Sequence, residues 1–209
     1  MNNTLQFNGI PILHKTVDFT LTKEEKNFIE NQKFNGIENS VKVSTNIFVL
    51  NNKKMKKVKD YFINCMEDFL KNVLEVKNKF DMTSSWITIN NSKNSHHPHE
   101  HHNSVLSLVY YVEGNGGDLT LSCNRSSLEQ GFNFKYNTIN YNSYNSRFIN
   151  IPVKTNSVVI FPSWLTHSTQ PNLSNNKRVV IAADFFPSGD LGSKENNDLI
   201  NINLKKFKY

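Results

Sequence analysis

Short apolar runs that end at Gly, Pro or Asn dominate the chain from about residue 83 onward. Each run is shorter than a typical helix and is rich in Val, Ile, Tyr or Phe, which indicates β-strands. The predicted strands are residues 85–89, 105–112, 119–123, 147–152, 157–161 and 178–186. Many short strands with this punctuation favour an antiparallel sandwich or barrel.

In the part of the chain before residue 83, two segments instead have the apolar spacing and capping residues of helices. Thr22 is followed three residues later by Glu25, and this capping box predicts a short helix that ends near residue 32. Residues 53–77 carry apolar side chains at three- and four-residue spacing, which predicts a longer helix with one apolar face. Residues 10–20 instead predict an opening strand. We expect both helices to pack on the outside of the sheets.

The 209 residues are enough for one domain with a substantial core, and the chain has no internal repeat and no clear linker. We therefore predict a single domain over residues 1–209. Its parts would be a helical support over 1–82, a β-rich core over 83–186 and a tail over 187–209. Within the core, the polar, Asn- and Tyr-rich residues 124–150 predict a long loop or flap, and such loops inside compact domains are usually functional or disordered.

The formal net charge is +6, from 24 Lys and Arg against 18 Asp and Glu. Much of the excess lies in residues 53–59 and 205–208. A basic surface is compatible with a nucleic-acid partner, but no nucleic-acid-binding motif accompanies the charge. A basic helix face and a solvated tail explain it more simply, and a nucleic-acid partner has no support beyond the charge.

No stretch approaches the roughly 20 apolar residues of a membrane-spanning helix, and the N-terminus has no targeting pattern. The two cysteines, Cys65 and Cys123, form no CxxC motif, and we interpret them as reduced thiols. These features predict a cytoplasmic protein without a membrane partner. The sequence leaves the oligomeric state open.

Histidines carry the strongest chemical signal in the chain. Five of the seven lie within residues 96–102, and a sixth, His167, follows a predicted strand. Neutral imidazole is the commonest protein ligand for transition metals. On an extended backbone, residues two apart point to the same side, which places His97, His99 and His101 together. The pattern predicts a metal site that His167 completes from a distant strand.

On the same reasoning, His96 and His102 point to the opposite side, and Glu100 also faces away. Considered by itself, the histidine cluster could be a solvated polyhistidine loop that binds metal only incidentally. Considered by itself, His167 would more often have a structural role than bind a metal. The two features together, with Arg178 on the next predicted strand, favour a metal site.

Arg178 opens an otherwise apolar predicted strand. A guanidinium that enters the interior needs an anion, because a buried unpaired charge is costly. Its planar fork suits a carboxylate, which it can bind through two parallel hydrogen bonds. The alternative is an exposed Arg178 at the mouth of the strand, beside Lys177.

Together these stretches resemble the 2-oxoglutarate- and Fe(II)-dependent oxygenases, in particular the type often encoded by phages and marine bacteria. That pattern has a Trp-containing strand, His-x-His-Pro-Asn-Ser, Ser-Gly-Val-Tyr-Tyr, a Gly-Gly turn, Phe-Pro-Ser-Trp-Leu-x-His and a strand that begins with Arg. The matching stretches are Trp86-Ile-Thr-Ile, His99-Glu-His-His-Asn-Ser, Ser107-Leu-Val-Tyr-Tyr-Val, Gly116-Gly117, Phe161-Pro-Ser-Trp-Leu-Thr-His and Arg178-Val-Val-Ile. The match covers residues 84–186 with order and spacing preserved, although His102 replaces the Pro and Leu108 replaces the Gly.

The resemblance implies a mainly β fold with flanking α-helices, the double-stranded β-helix or jelly roll, with metal-binding residues in its core. It implies that His99 and His167 bind the metal and that Arg178 binds the distal carboxylate of 2-oxoglutarate. Tyr111 matches a position that often hydrogen-bonds the same carboxylate, although a tyrosine that merely packs in the core is an equal alternative.

The identity of the third metal ligand is less direct. The usual set in the wider superfamily is His-x-Asp/Glu with a distant His. No histidine within 96–102 has an Asp or Glu two residues later. The third ligand would then be His101, with water or a register that uses His97 with His99 as alternatives. An imidazole in place of a carboxylate leaves the site one charge unit more positive, which predicts weaker Fe(II) binding.

The expected activity is that of a non-haem Fe(II)- and 2-oxoglutarate-dependent dioxygenase that hydroxylates a substrate which the sequence does not identify. If the chain is encoded by a phage, it would act in the host cytoplasm. Three imidazoles and an open position also describe a zinc-dependent hydrolase. A third alternative is a non-catalytic module whose histidines hold a structural metal.

Overall fold

Two facing β-sheets, backed by two α-helices, form the described part of the chain. The computed structural model describes residues 3–7, 9–36, 40–126 and 137–204. The strands, in chain order, are β1 (Asn3–Phe7), β2 (Ile10–Thr16), β3 (Phe34–Asn35), β4 (Lys42–Ser44), β5 (Lys79–Asn90), β6 (His96–His99), β7 (Leu106–Glu113), β8 (Leu119–Ser122), β9 (Phe148–Ile151), β10 (Ser157–Pro162), β11 (Thr166–Thr169), β12 (Arg178–Leu191) and β13 (Ile200–Ile202). The helices are α1 (Lys23–Glu30) and α2 (Lys56–Asn72), and two 3₁₀ turns, Val49–Asn51 and Lys53–Met55, precede α2.

The strand order identifies the architecture. The larger sheet has the order β1-β2-β10-β7-β12-β5-β4-β3, with β13 paired to β12, and the smaller sheet has the order β6-β11-β8-β9. From β6 to β12 the chain passes repeatedly between the two sheets, and most strands pair antiparallel with strands that are distant in sequence. This winding is the double-stranded β-helix. It confirms the predicted jelly roll, a mainly β fold with flanking helices.

Strand β12 shows why both sides of the larger sheet are apolar. Its side chains alternate between two cores, one under the helices and one between the sheets. The first set is Val179, Ile181, Ala183 and Phe185, and the second contains Val180 and Ala182. Because both faces are buried, odd and even positions are apolar, and the strand is a continuous apolar run. Arg178 and Asp184 share the spacing of the second set and therefore belong to the face between the sheets.

The capping box at α1 forms as predicted. Thr22 Oγ1 accepts from the backbone N–H of Glu25 at 3.2 Å, and Glu25 Oε2 accepts from the backbone N–H of Thr22 at 2.6 Å. These two bonds satisfy N–H groups that the first turn of a helix leaves without partners. The helix ends at Glu30, slightly before the predicted end near residue 32.

The second helix is shorter than the predicted range of 53–77. It starts at Lys56 after the two 3₁₀ turns and ends at Asn72, and Glu75 then adopts a left-handed backbone with φ of 54°. The predicted apolar stripe is confirmed, because one face of α2 is buried against the larger sheet. The buried residues of α2 are Val58, Phe62, Cys65, Met66, Phe69 and Leu70.

The sheets extend beyond the predicted core of residues 83–186. Strand β2 pairs with β10, and β4 pairs with β5, which places strands from the predicted support 1–82 in the larger sheet. At the other end, β12 continues to Leu191 and pairs with β13 inside the predicted tail 187–209. The larger sheet therefore extends across both predicted limits, and the division into support, core and tail stays a prediction. Of the predicted loop 124–150, residues 127–136 lie outside the described residues, and the segment also contains the start of β9.

Two further expectations concern location. Within the described ranges, no helix has the length and apolar character needed to cross a membrane. Cys65 is buried in the core under the helices, and neither Cys65 nor Cys123 forms a disulfide.

Candidate active site

Strands β6 and β11 lie side by side in the smaller sheet and bring three histidines together. His99 on β6 and His167 on β11 are cross-strand partners whose ring centroids are 4.1 Å apart. His101 follows β6, and its ring centroid lies 4.7 Å from that of His167. Each ring offers one nitrogen, and the three nitrogens all lie within 4.8 Å of one another. The cluster, called the triad below, therefore has the size of a site for a single metal ion.

The Nδ1 atom of every ring in the triad is held by an oxygen. The three contacts are His99 Nδ1 to the His97 carbonyl at 2.8 Å, His101 Nδ1 to the Asp184 carboxylate at 2.8 Å, and His167 Nδ1 to the Leu165 carbonyl at 3.0 Å. Carbonyl and carboxylate oxygens accept hydrogen bonds, and we therefore assign the hydrogen of each ring to Nδ1. The Nε2 atoms keep their lone pairs, which is the tautomer that metal-binding histidines use when Nδ1 is held in this way.

Burial keeps two of these rings neutral. Burial, with smaller effects from the neighbouring His99 and His101, lowers the pKa of His167 to about 3. Burial is also the largest cause of the lowered pKa of His99. Both rings are therefore uncharged near neutral pH, and their lone pairs are available to a metal without the loss of a proton.

Asp184 on β12 is the carboxylate behind His101. The residue is 7% exposed, and its Oδ1 accepts from His101 Nδ1–H and from the Ser107 hydroxyl, both at 2.8 Å. A carboxylate in this position fixes the orientation of an imidazole and makes its other nitrogen more basic. The pair therefore places a carboxylate beside the triad, hydrogen-bonded to Nδ1 on the far side of the ring from the candidate ligand atom Nε2.

A chain of three serines supports this pair. Ser107 Oγ lies 2.8 Å from Ser163 Oγ, which lies 2.7 Å from Ser104 Oγ. Because Ser107 donates to Asp184, its oxygen is left to accept from Ser163. Ser104 follows Asn103, whose φ of 56° lies in the left-handed region that Asn tolerates better than most residues. Serines from three separate sequence motifs thus meet behind one imidazole.

Arg178 lies inside the protein with 0% of its surface exposed. Its Nη1 donates to the carbonyl oxygens of Gly117 and Gln170, at 2.8 and 3.2 Å, and its Nη2 donates to Thr169 Oγ1 at 2.7 Å. The Nε atom is buried without a hydrogen-bond partner. No carboxylate among the described residues forms an ion pair with this guanidinium. The alternative of an exposed Arg178 is therefore wrong, and the buried cation lacks an anionic partner among the described residues.

The predicted Gly-Gly turn is packed against this guanidinium. Gly117 has a φ of +79°, and a Cβ there would lie 2.3 Å from Arg178 Nη1 and 2.8 Å from the Gln170 carbonyl oxygen. Any side chain at Gly117 would therefore displace Arg178 or the backbone. At Gly116 a Cβ would meet no atom within 4 Å, and its φ of +91° is what favours glycine there.

Tyr111 on β7 is 1% exposed and lies in the core between the sheets. Tyr111 is the cross-strand partner of Val180, and Val180 lies two residues after Arg178 on β12. The side chains of Tyr111 and Arg178 therefore lie on the same interior face of the sheet. Burial raises the pKa of Tyr111, and the charge of Arg178 opposes this rise. The phenol therefore stays protonated near neutral pH and lies within electrostatic reach of the guanidinium.

The register of β6 differs from the simple alternation expected for it. His96 is the cross-strand partner of Thr169, whereas His99 is the partner of His167. Three steps along β6 thus match two steps along β11, which is a β-bulge. The bulge turns His96 to the same side as His99, with ring centroids 4.1 Å apart. The expectation that His96 faces away was wrong, because it assumed an unbroken strand.

The remaining candidates lie outside the triad. Glu100 is exposed and accepts from the Thr166 hydroxyl at 2.6 Å, in agreement with the expectation that it faces away. His102 is exposed as well. The sequence reasoning missed Asp184, although its even spacing from Arg178 along one strand indicated a shared face. It also assigned no role to the three serines or to Thr169.

Residues 84–184 match a protein-family model described as "Putative 2OG-Fe(II) oxygenase". The matched range contains the triad, Asp184, Tyr111 and Arg178. No curated protein sequence gives a significant match to the chain.

Several solved structures have a similar fold. An oxidoreductase of the 2OG-Fe(II) oxygenase family from Burkholderia pseudomallei has a TM-score of 0.56 at 8% identity, covering 82% of this chain and 83% of that one. HygX from Streptomyces hygroscopicus, with nickel, 2-oxoglutarate and hygromycin B bound, has a TM-score of 0.58 at 11% identity, with coverages of 84% and 82%. A prolyl hydroxylase from Trichoplax adhaerens, in complex with a peptide fragment of the hypoxia inducible factor oxygen degradation domain, has a TM-score of 0.56 at 13% identity, with coverages of 86% and 84%.

At these identities the structural similarity shows a shared fold, and residue roles must come from the geometry of the site. The sequence match adds a similarity to this family for residues 84–184, the part of the chain that carries the triad. The two findings together show a shared fold and a sequence similarity to this oxygenase family that covers just under half of the chain.

Proposed function

We propose that the protein is a non-haem Fe(II)- and 2-oxoglutarate-dependent dioxygenase in which His99, His101 and His167 bind the metal. The observation that carries the proposal is the triad with all three Nδ1 atoms held, next to a buried guanidinium that lacks an anion. The first feature suits a transition metal and the second suits a carboxylate. 2-Oxoglutarate joins the two, because one end chelates a metal and the other end is a free carboxylate.

Thr169 links the triad to Arg178. It lies two residues after His167 on β11, and both side chains therefore point to the same side, about 7 Å apart along the strand. Thr169 Oγ1 accepts from Arg178 at 2.7 Å and from the backbone N–H of His96 at 2.9 Å. Thr169 thereby holds the guanidinium on the same side of β11 as His167, about two residues further along the strand.

The charges of the buried groups also favour this function. Burial keeps His99 and His167 uncharged, Asp184 places a carboxylate behind His101, and Arg178 contributes one positive charge. A divalent ion and a doubly negative co-substrate would neutralise each other, which is important in a site that water does not screen. A zinc hydrolase has no use for a dicarboxylate and would leave the buried Arg178 without an anion.

The bound iron and 2-oxoglutarate would supply the oxidative chemistry, in which dioxygen gives one oxygen atom to succinate, with release of CO₂, and the other to the substrate. The residues of the chain position these groups. The triad would hold the metal from one side and leave its other positions open. Arg178, with Tyr111 as a neutral hydrogen-bond donor, would fix the far carboxylate of the co-substrate, and the apolar core between the sheets would exclude water.

Formation of succinate from 2-oxoglutarate tests the activity. Purified protein is incubated with Fe(II), 2-oxoglutarate and air, and binding of Fe(II) with 2-oxoglutarate is measured separately under nitrogen from its visible charge-transfer absorption. We expect both signals in the wild type and in His102→Ala, which removes an exposed histidine of the same segment, and neither in His167→Ala. Succinate that persists in His167→Ala would exclude this site. Retained zinc without binding of 2-oxoglutarate would favour the hydrolase.

A truncated analogue tests the role of Arg178. 2-Oxopentanoate has the metal-chelating end of 2-oxoglutarate but no distal carboxylate. The wild type should prefer 2-oxoglutarate by about 30-fold or more, since removal of one partner of a buried charge pair costs at least about 2 kcal/mol. Arg178→Gln should bind both compounds with similar affinity. A preference that survives in Arg178→Gln would show that another residue binds the carboxylate.

A further inference from the structure

Two histidines outside the triad lie close to one of its members. The ring centroids of His96 and His97 are 5.1 Å apart, and their distances to the ring of His99 are 4.1 and 5.4 Å. One ring nitrogen from each of the three lies within 4.8 Å of the other two, the same limit that the triad satisfies. The bulge in β6 creates this group, because without it His96 and His99 would face opposite sides.

We propose that His96, His97 and His99 form a second site for a divalent transition-metal ion, which shares His99 with the triad. Three imidazoles without a carboxylate suit Zn(II), Ni(II), Cu(II) or Fe(II) and do not suit Mg(II) or Ca(II). His97 is exposed, whereas His167 in the triad is 5% exposed. We call the new group the outer site because it opens to solvent.

The shared histidine makes the two sites alternatives. A neutral imidazole has a single lone pair, and His99 Nδ1 is held by the His97 carbonyl oxygen at 2.8 Å. His99 can therefore bind one ion at a time. An ion that moves from the outer site to the triad exchanges His96 and His97 for His101 and His167, and it stays bound to His99 throughout.

The exchange favours the inner position. In the triad, His101 is backed by the buried carboxylate of Asp184, which accepts from its Nδ1 at 2.8 Å. A carboxylate in that position strengthens metal binding, and none supports the outer site among the described residues. The outer site therefore captures an ion at the surface and passes it inward. Metal binding at the outer site is independent of the proposed oxygenase activity. The role of the outer site in loading the enzyme with metal rests on that proposed function.

Titration with Ni(II) under calorimetry tests the site at equilibrium. The variant His101→Ala/His167→Ala disables the triad and should still bind one Ni(II). Addition of His97→Ala to that variant should weaken binding by about tenfold or more, by analogy with the losses seen when metal-site partners are removed. Equal affinity with and without His97 would overturn the second site. Addition of His102→Ala, an exposed neighbour outside both groups, is the matched control and should change nothing.

The transfer of the ion from the outer site to the triad is tested by the rate at which Ni(II) loads the triad. The test variant is His97→Ala, which changes only an exposed side chain. The ring of Trp86 lies 5.0 Å from that of His101, and Trp164→Phe leaves Trp86 as the single tryptophan that Ni(II) in the triad can quench. In that background His97→Ala should slow the quenching by about tenfold and leave the affinity of the triad within about twofold. An unchanged rate would overturn the transfer. Because Ni(II) loading needs neither 2-oxoglutarate nor dioxygen, normal loading without succinate formation would count against the oxygenase alone.

Discussion

Asp184→Asn should weaken metal binding by the triad about 10- to 100-fold and leave the fold intact. The Oδ1 atom of Asp184 accepts from His101 Nδ1–H and from the Ser107 hydroxyl, both at 2.8 Å. An amide oxygen has nearly the same shape and can accept both bonds. The substitution therefore removes one negative charge without removing a hydrogen-bond acceptor.

The size of the effect follows from the surroundings of the carboxylate. Asp184 is 7% exposed, and water therefore screens its charge weakly. Two charge-assisted hydrogen bonds become neutral ones, which are roughly half as strong. A loss of about 1.4 to 2.7 kcal/mol in metal binding corresponds to the stated 10- to 100-fold range.

The assay is calorimetric titration of the metal-free protein with Ni(II), and with Fe(II) under nitrogen. The matched control is Asp190→Asn, an exposed aspartate on the same strand that accepts from Asn201 Nδ2 at 2.7 Å. It should bind metal like the wild type, and urea denaturation should show that both variants are folded. If Asp184→Asn binds Ni(II) within about twofold of the wild type, the carboxylate does not support His101, and the proposed role fails.

Three further predictions concern stability, each measured by urea denaturation. Gly117→Ala should lower the free energy of unfolding by about 1 to 3 kcal/mol more than Gly116→Ala does. Both glycines have positive φ, but of these two positions only Gly117 would place a Cβ against Arg178, at 2.3 Å from Nη1, and equal losses would contradict this packing. Phe62→Ala should cost about 3 to 5 kcal/mol, because Phe62 is 0% exposed under the larger sheet, and a loss below about 1 kcal/mol would show that the core collapses around it. Thr22→Ala should lower the free energy of unfolding by about 1 kcal/mol through loss of the helix cap, whereas Thr22→Ser should retain most of the wild-type stability. Equal stability of the two variants would show that the side-chain cap contributes nothing.

The strands that pack on both faces were predictable from the sequence. On β7, β10 and β12, burial on both sides requires long apolar runs, and these runs are visible without any structural knowledge. Strands β6 and β11 were missed, because His-His-Pro-His and Thr-His-Ser-Thr contain no apolar alternation. Their strand conformation comes from backbone pairing with neighbouring strands rather than from their own propensity.

The candidate site was predictable where it depends on local spacing. His99 and His101 are two residues apart, and their common side follows from an extended backbone. The position of His96 depends on a bulge, and a bulge is a property of the pairing with β11 that local sequence does not reveal. Asp184 was missed because its spacing along β12 indicates only a face shared with Arg178, whereas its contact with His101 depends on the register that places it opposite Ser107 on β7.

The pair of His101 and Asp184 alters the expected electrostatics of a three-histidine site. From the ligands alone, an imidazole in place of a carboxylate makes the site one charge unit more positive and weakens Fe(II) binding. Asp184 returns that negative charge, but from the far side of the imidazole ring. Because the Coulomb energy falls with distance, the return is partial. We therefore expect Fe(II) to bind the triad more tightly than three isolated imidazoles would, but less tightly than two imidazoles and a directly bound carboxylate. In the proposed function, the 2-oxoglutarate dianion would supply the remaining negative charge, and Arg178 would hold it in place.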